Sequence, residues 1–220
     1  MSGELIDVYD EAGRHRGVLD RPTAHAEGWW HRVFHLLLVA RRPEGPAVIL
    51  QRRAHDKVTF PGLLDLSATG HLEAGESPVD GLRELREELG VEIDASALVS
   101  LGVRRIVDHT PEGLNRELCH VHLAIDDRPV TEYAPDPAEV ASVAELRIAD
   151  GVELFAGRRA TVELMESSGG DRLVRTTVSV DSFVPEPSST GAGDHAGYGY
   201  WASVLALAQR CAAGEVHLSI

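Results

Sequence analysis

Gly70-His71-Leu72-Glu73-Ala74-Gly75-Glu76-Ser77-Pro78-Val79-Asp80-Gly81-Leu82-Arg83-Glu84-Leu85-Arg86-Glu87-Glu88-Leu89-Gly90-Val91 is the stretch on which the fold turns. Ser77 reads as an N-cap and Pro78 as a first helical residue, so the spacing predicts a helix from there to Leu89, ended by Gly90. Leu82, Leu85 and Leu89 give that helix one apolar face. Glu84, Glu87 and Glu88 stand at i, i+3 and i+4, which puts three carboxylates on another face. Like charges so placed repel, at about 0.2–0.5 kcal/mol per pair in an isolated helix. A hard divalent cation turns that cost into a gain, and Mg²⁺ above all takes oxygen ligands of this kind. On an arbitrary helix, three glutamates more often make a solvated acidic face, balanced here by Arg83 and Arg86. The whole string has to decide between the two.

Working outward, Leu5 to Tyr9 and Arg16 to Leu19 read as strands joined by a turn at Glu11-Ala12-Gly13. Val33 to Val39 is a continuous apolar segment, read as a buried strand. A turn over Arg41 to Gly45 leads to a second strand, Ala47 to Arg52, and the two should form a hairpin. His55 to Leu64, with Pro61-Gly62, reads as loop. Val99 to Val107, Leu118 to Ile125 and a segment within Ala138 to Ile148 read as strands, the last leading into a short helix near Gly151 to Ala156. Leu173 to Val180 is β-rich, Pro185 to Gly199 reads as a mobile loop, and Tyr198 to Ala213 as a C-terminal helix. Strands with helices set between them predict an α/β sandwich rather than a doubly wound parallel sheet. We expect a single domain over residues 1–220, with an N-terminal hairpin in 1–30 and a strand and helix extension in 160–220.

The chain has 220 residues and a formal net charge of −14, which opposes a polymeric nucleic-acid partner. A small anionic substrate is compatible if a cation and a few local Lys or Arg neutralise it. The two cysteines, Cys119 and Cys211, show no CxxC spacing, which argues against a disulfide framework or a thiolate metal site. The acidic N-terminus does not read as a signal peptide, and the run near Val33 to Ala40 is far too short to span a bilayer. A cytoplasmic protein without a membrane partner is the expectation.

The opening string resembles the Nudix box: Gly, five residues, Glu, seven residues, then Arg-Glu-apolar-x-Glu-Glu-x-Gly-apolar. Gly70, Glu76, Arg83-Glu84-Leu85, Glu87-Glu88 and Gly90-Val91 match in type. The resemblance implies a Nudix-fold α/β/α sandwich, with a mixed β-sheet and a catalytic loop-helix-loop. It also implies a hydrolase cleaving a diphosphate linkage in a small molecule. Glu84, Glu87 and Glu88, with the Gly70 carbonyl, would hold Mg²⁺ or Mn²⁺. Glu87, Glu88 or Glu139 would take the proton of the attacking water, with Glu117 a further candidate. One departure stands out. Six residues, Ser77 to Leu82, separate Glu76 from Arg83 where the pattern has seven. The Glu76–Arg83 salt bridge is the implied contact that this shortening puts at risk.

A second likeness covers Arg53-Ala54-His55-Asp56-Lys57, Phe60-Pro61-Gly62, Ser67 and Gly70-His71, together with Ala24-His25 and His31-Arg32-Val33-Phe34. These resemble the Nudix-fold isopentenyl-diphosphate isomerases and their relatives. By this likeness Arg53 and Lys57 would hold a diphosphate, His71 would face the substrate, and His25, His31 and His71 could form a second metal site. His35 reads as core. The isomerases need a cysteine where this chain has Thr69, and a hydroxyl is a poor substitute in that acid–base role. Diphosphate hydrolysis therefore leads. An isomerase-like enzyme and a non-catalytic diphosphate sensor are the alternatives. His120 and His122 alternate on a strand and could line a pocket with Glu117, or form a polar outer face. Trp29, Trp30, Tyr198, Tyr200 and Trp201 could stack on substrate, cap the core or contact a second copy in a homodimer. Gly191-Ala192-Gly193 lacks the preceding strand and following Lys of a phosphate loop.

Overall fold

A strand buried on both faces reads as an unbroken apolar run, and Val33 to Ala40 interrupts that run only at His35. The structure, a computed structural model, describes residues 4–110, 113–185 and 199–220. In chain order the elements are β1 (Leu5–Tyr9), β2 (His15–Asp20), α1 (Arg21–Glu27), β3 (Trp30–Ala40), β4 (Ala47–Arg53), β5 (Leu64–Asp65) and β6 (Ala68–His71). A 3-10 turn (Pro78–Gly81), α2 (Leu82–Leu89), β7 (Val99–Thr110), β8 (Gly113–Ile125), β9 (Val140–Arg147) and α3 (Ile148–Phe155) follow. The last elements are β10 (Val162–Ser167), β11 (Val174–Val178) and α4 (Gly199–Ala212). The mobile loop expected over Pro185 to Gly199, the Gly191-Ala192-Gly193 segment and Tyr198 fall almost wholly outside the described residues.

Eleven strands join in one sheet built around β3. Along one edge β3 pairs with β8 in parallel, from Trp30↔Arg116 to Val39↔Ile125. Along the other edge it takes three antiparallel partners in turn: β1 at Trp30–His31, β6 at Val33–Leu36 and β4 at Leu38–Ala40. The gap between β6 and β4 would orphan backbone groups. Ser67 fills it: its hydroxyl accepts from the Leu38 N–H at 2.7 Å and donates to the Ile49 carbonyl. One parallel pair among antiparallel ones makes the sheet mixed, as expected.

Side chains of β3 alternate between two cores. Phe34, Leu36 and Leu38 pack with Leu85 and Leu89 of α2 on one face. Val33, Leu37 and Val39 pack with Ile148 and Leu154 of α3 and Trp201, Val204 and Leu205 of α4 on the other. Each fully buried Leu or Phe contributes about 1.5–3 kcal/mol of transfer free energy, so both helix layers are fixed by burial rather than by propensity. The helices on both faces make the sandwich layered α/β/α.

Sequence reasoning missed α1 and β10. The signals for α1 were present: Asp20 accepts from Thr23 N at 3.0 Å, Pro22 opens the helix, and Gly28 closes it at φ 69°. The helix predicted from Pro78 is α-helical only from Leu82, because Pro78–Gly81 winds as a 3-10 turn.

Candidate functional site

The segment before α2 shows how the shortened box still closes. A 3-10 turn rises about 2.0 Å per residue against about 1.5 Å in an α-helix, so fewer residues reach equally far. The Asp80 carboxylate accepts from Ser77 N and Oγ, both at 2.7 Å, and holds the turn. Gly81 lies where any Cβ would stand 2.4 Å from the Phe34 ring. The Glu76–Arg83 contact, which the shortening seemed to endanger, is formed: Arg83 Nε donates to Glu76 Oε1 at 2.9 Å. Arg83 also donates to the His71 carbonyl at 2.8 Å and to Glu84 Oε1 at 2.6 Å, tying the loop to the helix.

The three glutamates share a helix face but not an environment. The Glu84 head lies over Gly70 so closely that a Cβ there would meet Oε1 at 2.0 Å. Burial and the Glu87 charge push the Glu84 carboxyl up to about 7 against the pull of Arg83. Glu88 is 7% exposed and accepts from Gln51 Nε2 at 3.1 Å and Thr69 N at 3.2 Å. Burial and the Glu84 charge hold its carboxyl well above the ordinary range. Glu87 is half exposed and meets Arg83 at 3.3 Å. Two desolvated carboxylates crowded on one side with a third open to water are a donor set that a hard cation would relieve. Gly70, with no side chain, leaves them the room.

Opposite this helix stand the expected cations. Arg53 Nε donates to the Thr59 carbonyl at 3.1 Å, and its NH1 lies 3.3 Å from the buried Asp65, so its fork is held toward the cleft. Lys57 ion-pairs with Glu139. The expected phosphate ligand and the expected base thus hold each other. The backbone bond from Ala54 N to the Glu139 carbonyl, 2.9 Å, fixes their two loops together.

His25 of α1, His31 of β3 and His71 of β6 come together with ring centroids 4.9, 5.1 and 5.6 Å apart. One nitrogen of each lies within 4.8 Å of the others. His31 Nδ1 faces the Trp29 carbonyl at 3.2 Å, which fixes the proton there and leaves the Nε2 lone pair inward. His71 Nδ1 faces Glu4 at 3.9 Å. The Nε2 atoms of His31 and His71 are buried and make no hydrogen bond. Burial lowers His31 to about 4 and His71 well below the ordinary imidazole range, with the neighbouring histidines adding to the effect. Buried, convergent imidazoles suit a borderline ion such as Zn²⁺ better than Mg²⁺.

A second group, His35, Glu117 and Cys119, behaves differently because its heads are already engaged. Asn115 Nδ2 donates to Glu117 at 2.7 Å, Cys119 Sγ to Glu117 at 3.5 Å, and His35 Nδ1 meets the Tyr200 hydroxyl at 3.1 Å. The carboxylate helix, Arg53, Lys57, His25 and His71 of the histidine cluster, and His35 and Glu117 of this group open on one cleft of about 790 Å³. That size suits a small organic molecule.

Residues 30–164 match the family model of the NUDIX domain. The chain belongs to the Nudix family. Over 210 residues it is 30% identical to an uncharacterized Nudix hydrolase of Clostridium acetobutylicum, spanning 93% of this chain and 97% of the relative. It is also 36% identical over 149 residues to an isopentenyl-diphosphate Delta-isomerase of Nocardia farcinica, spanning 66% of this chain and 80% of the isomerase. Among solved structures, DR0079 from Deinococcus radiodurans superimposes with a TM-score of 0.54 at 26% identity, covering 70% of this chain and 90% of that one.

Several expectations about this Nudix protein need correction. His35, read as core or packing, does pack on Tyr200, but it also lines the cleft. His120 and His122 do not share Glu117's face. His122 is 5% exposed and stacks on Phe34 at 5.2 Å, on the α2 side, so neither a pocket role nor a polar outer face describes it. Trp30 and Trp201 agree with the core-capping alternative and are buried: the first donates to Glu11, and the second packs on Phe155 and Phe183. Cys119, remote from the box in sequence, opposes Val33, which itself opposes His71. Sequence reasoning also missed Asp65, Asn115, Arg104 and Glu4. Each lines the cleft, and none sits in a motif that points there. Among the described residues no helix is long and apolar enough to cross a membrane.

Proposed function

We propose that the chain, read as one domain over residues 1–220, is a divalent-metal-dependent hydrolase that cleaves the diphosphate linkage of a small organic molecule. The observation that carries this reading is the packing of the Glu84 carboxylate onto Gly70 beside the buried Glu88, two desolvated carboxylates close together that a cation would relieve. Mg²⁺ or Mn²⁺ would be held by Glu84, Glu87, Glu88 and the Gly70 carbonyl. When bound it supplies charge neutralisation on the diphosphate and acidifies the attacking water. His25, His31 and His71 would hold a second, borderline ion beside it.

The residues of the chain supply the rest. Arg53, preset by Thr59 and Asp65, offers a fork of donors to one phosphate. Lys57 turns from Glu139 to the incoming phosphate, which frees the Glu139 carboxylate as it charges the site. The water oxygen bonds to phosphorus and the bridging P–O bond breaks. The electron pair stays on the leaving phosphate, and the water's proton passes to Glu87 or Glu139. Arg83 keeps Glu84 and the Gly70–Glu76 loop in register throughout. Thr69 lies beside Glu88 where an isomerase would need a thiol, so proton transfer to an alkene lacks its acid.

The test is a phosphate-release screen over sugar-, nucleoside-, thiamine- and prenyl-linked diphosphates with Mg²⁺ and with Mn²⁺. Release from at least one class, abolished by chelation, is expected. Interconversion of isopentenyl and dimethylallyl diphosphate without phosphate release would replace the reading with isomerase chemistry. Tight diphosphate binding with no turnover would replace it with a sensor.

A further inference from the structure

We propose that the C-terminal extension presents the diphosphate loop, and that Glu166 is a positioning residue acting through Arg52 on Arg53 and Lys57. This assignment rests on the diphosphate reading above and goes beyond it, because it gives a role to residues outside the family match.

Arg53 and Lys57 sit at the start of the connection from β4 to β5. Two backbone bonds close the base of that loop: Arg53 N donates to the Leu63 carbonyl at 2.9 Å, and Gly62 N to the Arg53 carbonyl at 3.1 Å. Within it Phe60 stands at φ 51°, in the left-handed region that an aromatic residue rarely adopts. Such backbone persists where the surroundings over-determine it, and two clamps do so here.

The first clamp is Arg52. Its Nε donates to Glu166 Oε1 of β10 at 2.9 Å, its NH2 donates to the same oxygen, and its NH1 donates to the Gly62 carbonyl at 2.9 Å. Thr176 of β11 donates to the other Glu166 oxygen at 3.0 Å. Arg52 opposes Ser142 of β9 and Glu166 opposes Ala144, so the two ions share one face of the sheet and reach each other past small side chains. The second clamp grips the far end of the loop. Phe183 bridges Leu64, Val184 N donates to the Leu64 carbonyl at 2.8 Å, and Trp201 Nε1 donates to the Val184 carbonyl at 3.0 Å. Glu166, Thr176, Phe183, Val184 and Trp201 all lie beyond residue 164, where the NUDIX match ends.

Glu166 does two things for the loop. It neutralises a guanidinium that is largely buried, and it fixes the fork so that NH1 points at Gly62. The pinned Gly62 carbonyl then sets where the Arg53 backbone stands, since Gly62 and Arg53 are bonded to each other. Without the pin the diphosphate has to order the loop as it binds, and affinity falls by that cost.

Calorimetry on the full chain with methylene diphosphonate and Mg²⁺ tests this, with thermal melting alongside. Glu166→Gln should weaken binding about tenfold. Arg52→Met combined with Glu166→Leu removes both charges of the buried pair. It should melt close to wild type and still bind about tenfold more weakly, which carries the test should Glu166→Gln not fold. In a protein already carrying Arg53→Ala and Lys57→Ala, adding Glu166→Gln should change the affinity by less than about twofold, because the residues through which it acts are gone. A general loss of structure would instead repeat the full tenfold loss there. That repetition, or wild-type affinity when the ion pair is removed, overturns the proposal while the diphosphate reading stands. If the wild-type chain binds no diphosphonate, the diphosphate reading falls, and this inference with it.

Discussion

The carboxylate helix and the histidine cluster, whose His25 and His71 reach the same cleft, are built in opposite ways. Glu84, Glu87 and Glu88 lie within five residues of one helix, and helical geometry alone brings them together. His25, His31 and His71 come from a helix and two strands, brought together by β3 pairing with β6 and by the His25 ring of α1 packing against the other two. The helix presents its charges to a partly wet face, with Glu87 half exposed. The cluster buries its imidazoles, and burial holds His31 and His71 below the ordinary imidazole range. A local constellation is robust to loop changes, as the shortened Ser77–Leu82 segment shows. A tertiary one depends on every element that carries it.

Variants can break or sharpen this contrast. The largest effect belongs to Glu87→Gln, which should lower turnover by about 10²–10⁴ with an unchanged circular dichroism spectrum. Wild-type-like rates would remove Glu87 from the site. His31→Leu should act in the opposite sense on stability. It deletes a buried Nε2 that has no hydrogen bond among the described residues, which offsets the lost Nδ1 contact to the Trp29 carbonyl, so the metal-free protein should melt no lower than wild type. The stabilisation by Co²⁺ or Zn²⁺, about 4 kcal/mol at a thousandfold excess over Kd, should vanish. If the metal-induced shift survives in the melting curve, the cluster is not a metal site.

Arg53→Ala should raise KM about tenfold or more with a smaller change in kcat, because the fork binds phosphate before and during reaction. An unchanged KM places the diphosphate elsewhere. Asp7→Asn tests whether the helix site truly stands alone. Asp7 accepts from Gly75 N at 2.9 Å and from Arg32 at 3.0 Å, and Arg32 holds the Glu76 carbonyl at 2.7 Å. Weakening that clamp should raise the Mg²⁺ concentration needed for half-maximal rate about tenfold and leave Co²⁺ binding at the histidines intact.

The smallest expected effect concerns pH. Burial lowers His35 to about 3, so the folded state keeps it neutral while the unfolded chain takes up a proton below about pH 6.5. Stability is therefore fully present above that pH and declines on acidification toward 3, by at most about 1.4 kcal/mol per unit from this group. Denaturant titrations of His35→Leu from pH 7 to 4.5 should show a shallower acid limb than wild type. An identical limb would mean that His35 takes up its proton in the fold.

Much of the site was legible because its signals are local. The glutamate spacing, the apolar stripe Leu82, Leu85 and Leu89, and the run Val33 to Val39 each depend on neighbours within a few residues. The likeness also pointed to Arg53, Lys57 and the three histidines, but not to their pairings. That Lys57 holds Glu139, and that Asp65 braces Arg53, follows from loops meeting across the sheet. The doubt over Glu76 and Arg83 arose from counting residues. A tighter 3-10 turn resolved it, and residue counts do not reveal the pitch at which a turn is wound.

By itself the sequence determined the family, the helix that carries the carboxylates and the residue types available for a cation and a phosphate. These are matters of periodicity and local sterics, which a chain carries wherever it folds. Only the tertiary structure decided which of the eleven histidines converge, that His35 and Glu117 face the cleft while His122 turns away, and that Asn115 and Arg104 line it too. Those outcomes depend on strand register and on parallel pairing across 86 residues, from Trp30 to Arg116. Register is set by which faces can be buried together, and that is a property of the whole sheet rather than of any one stretch.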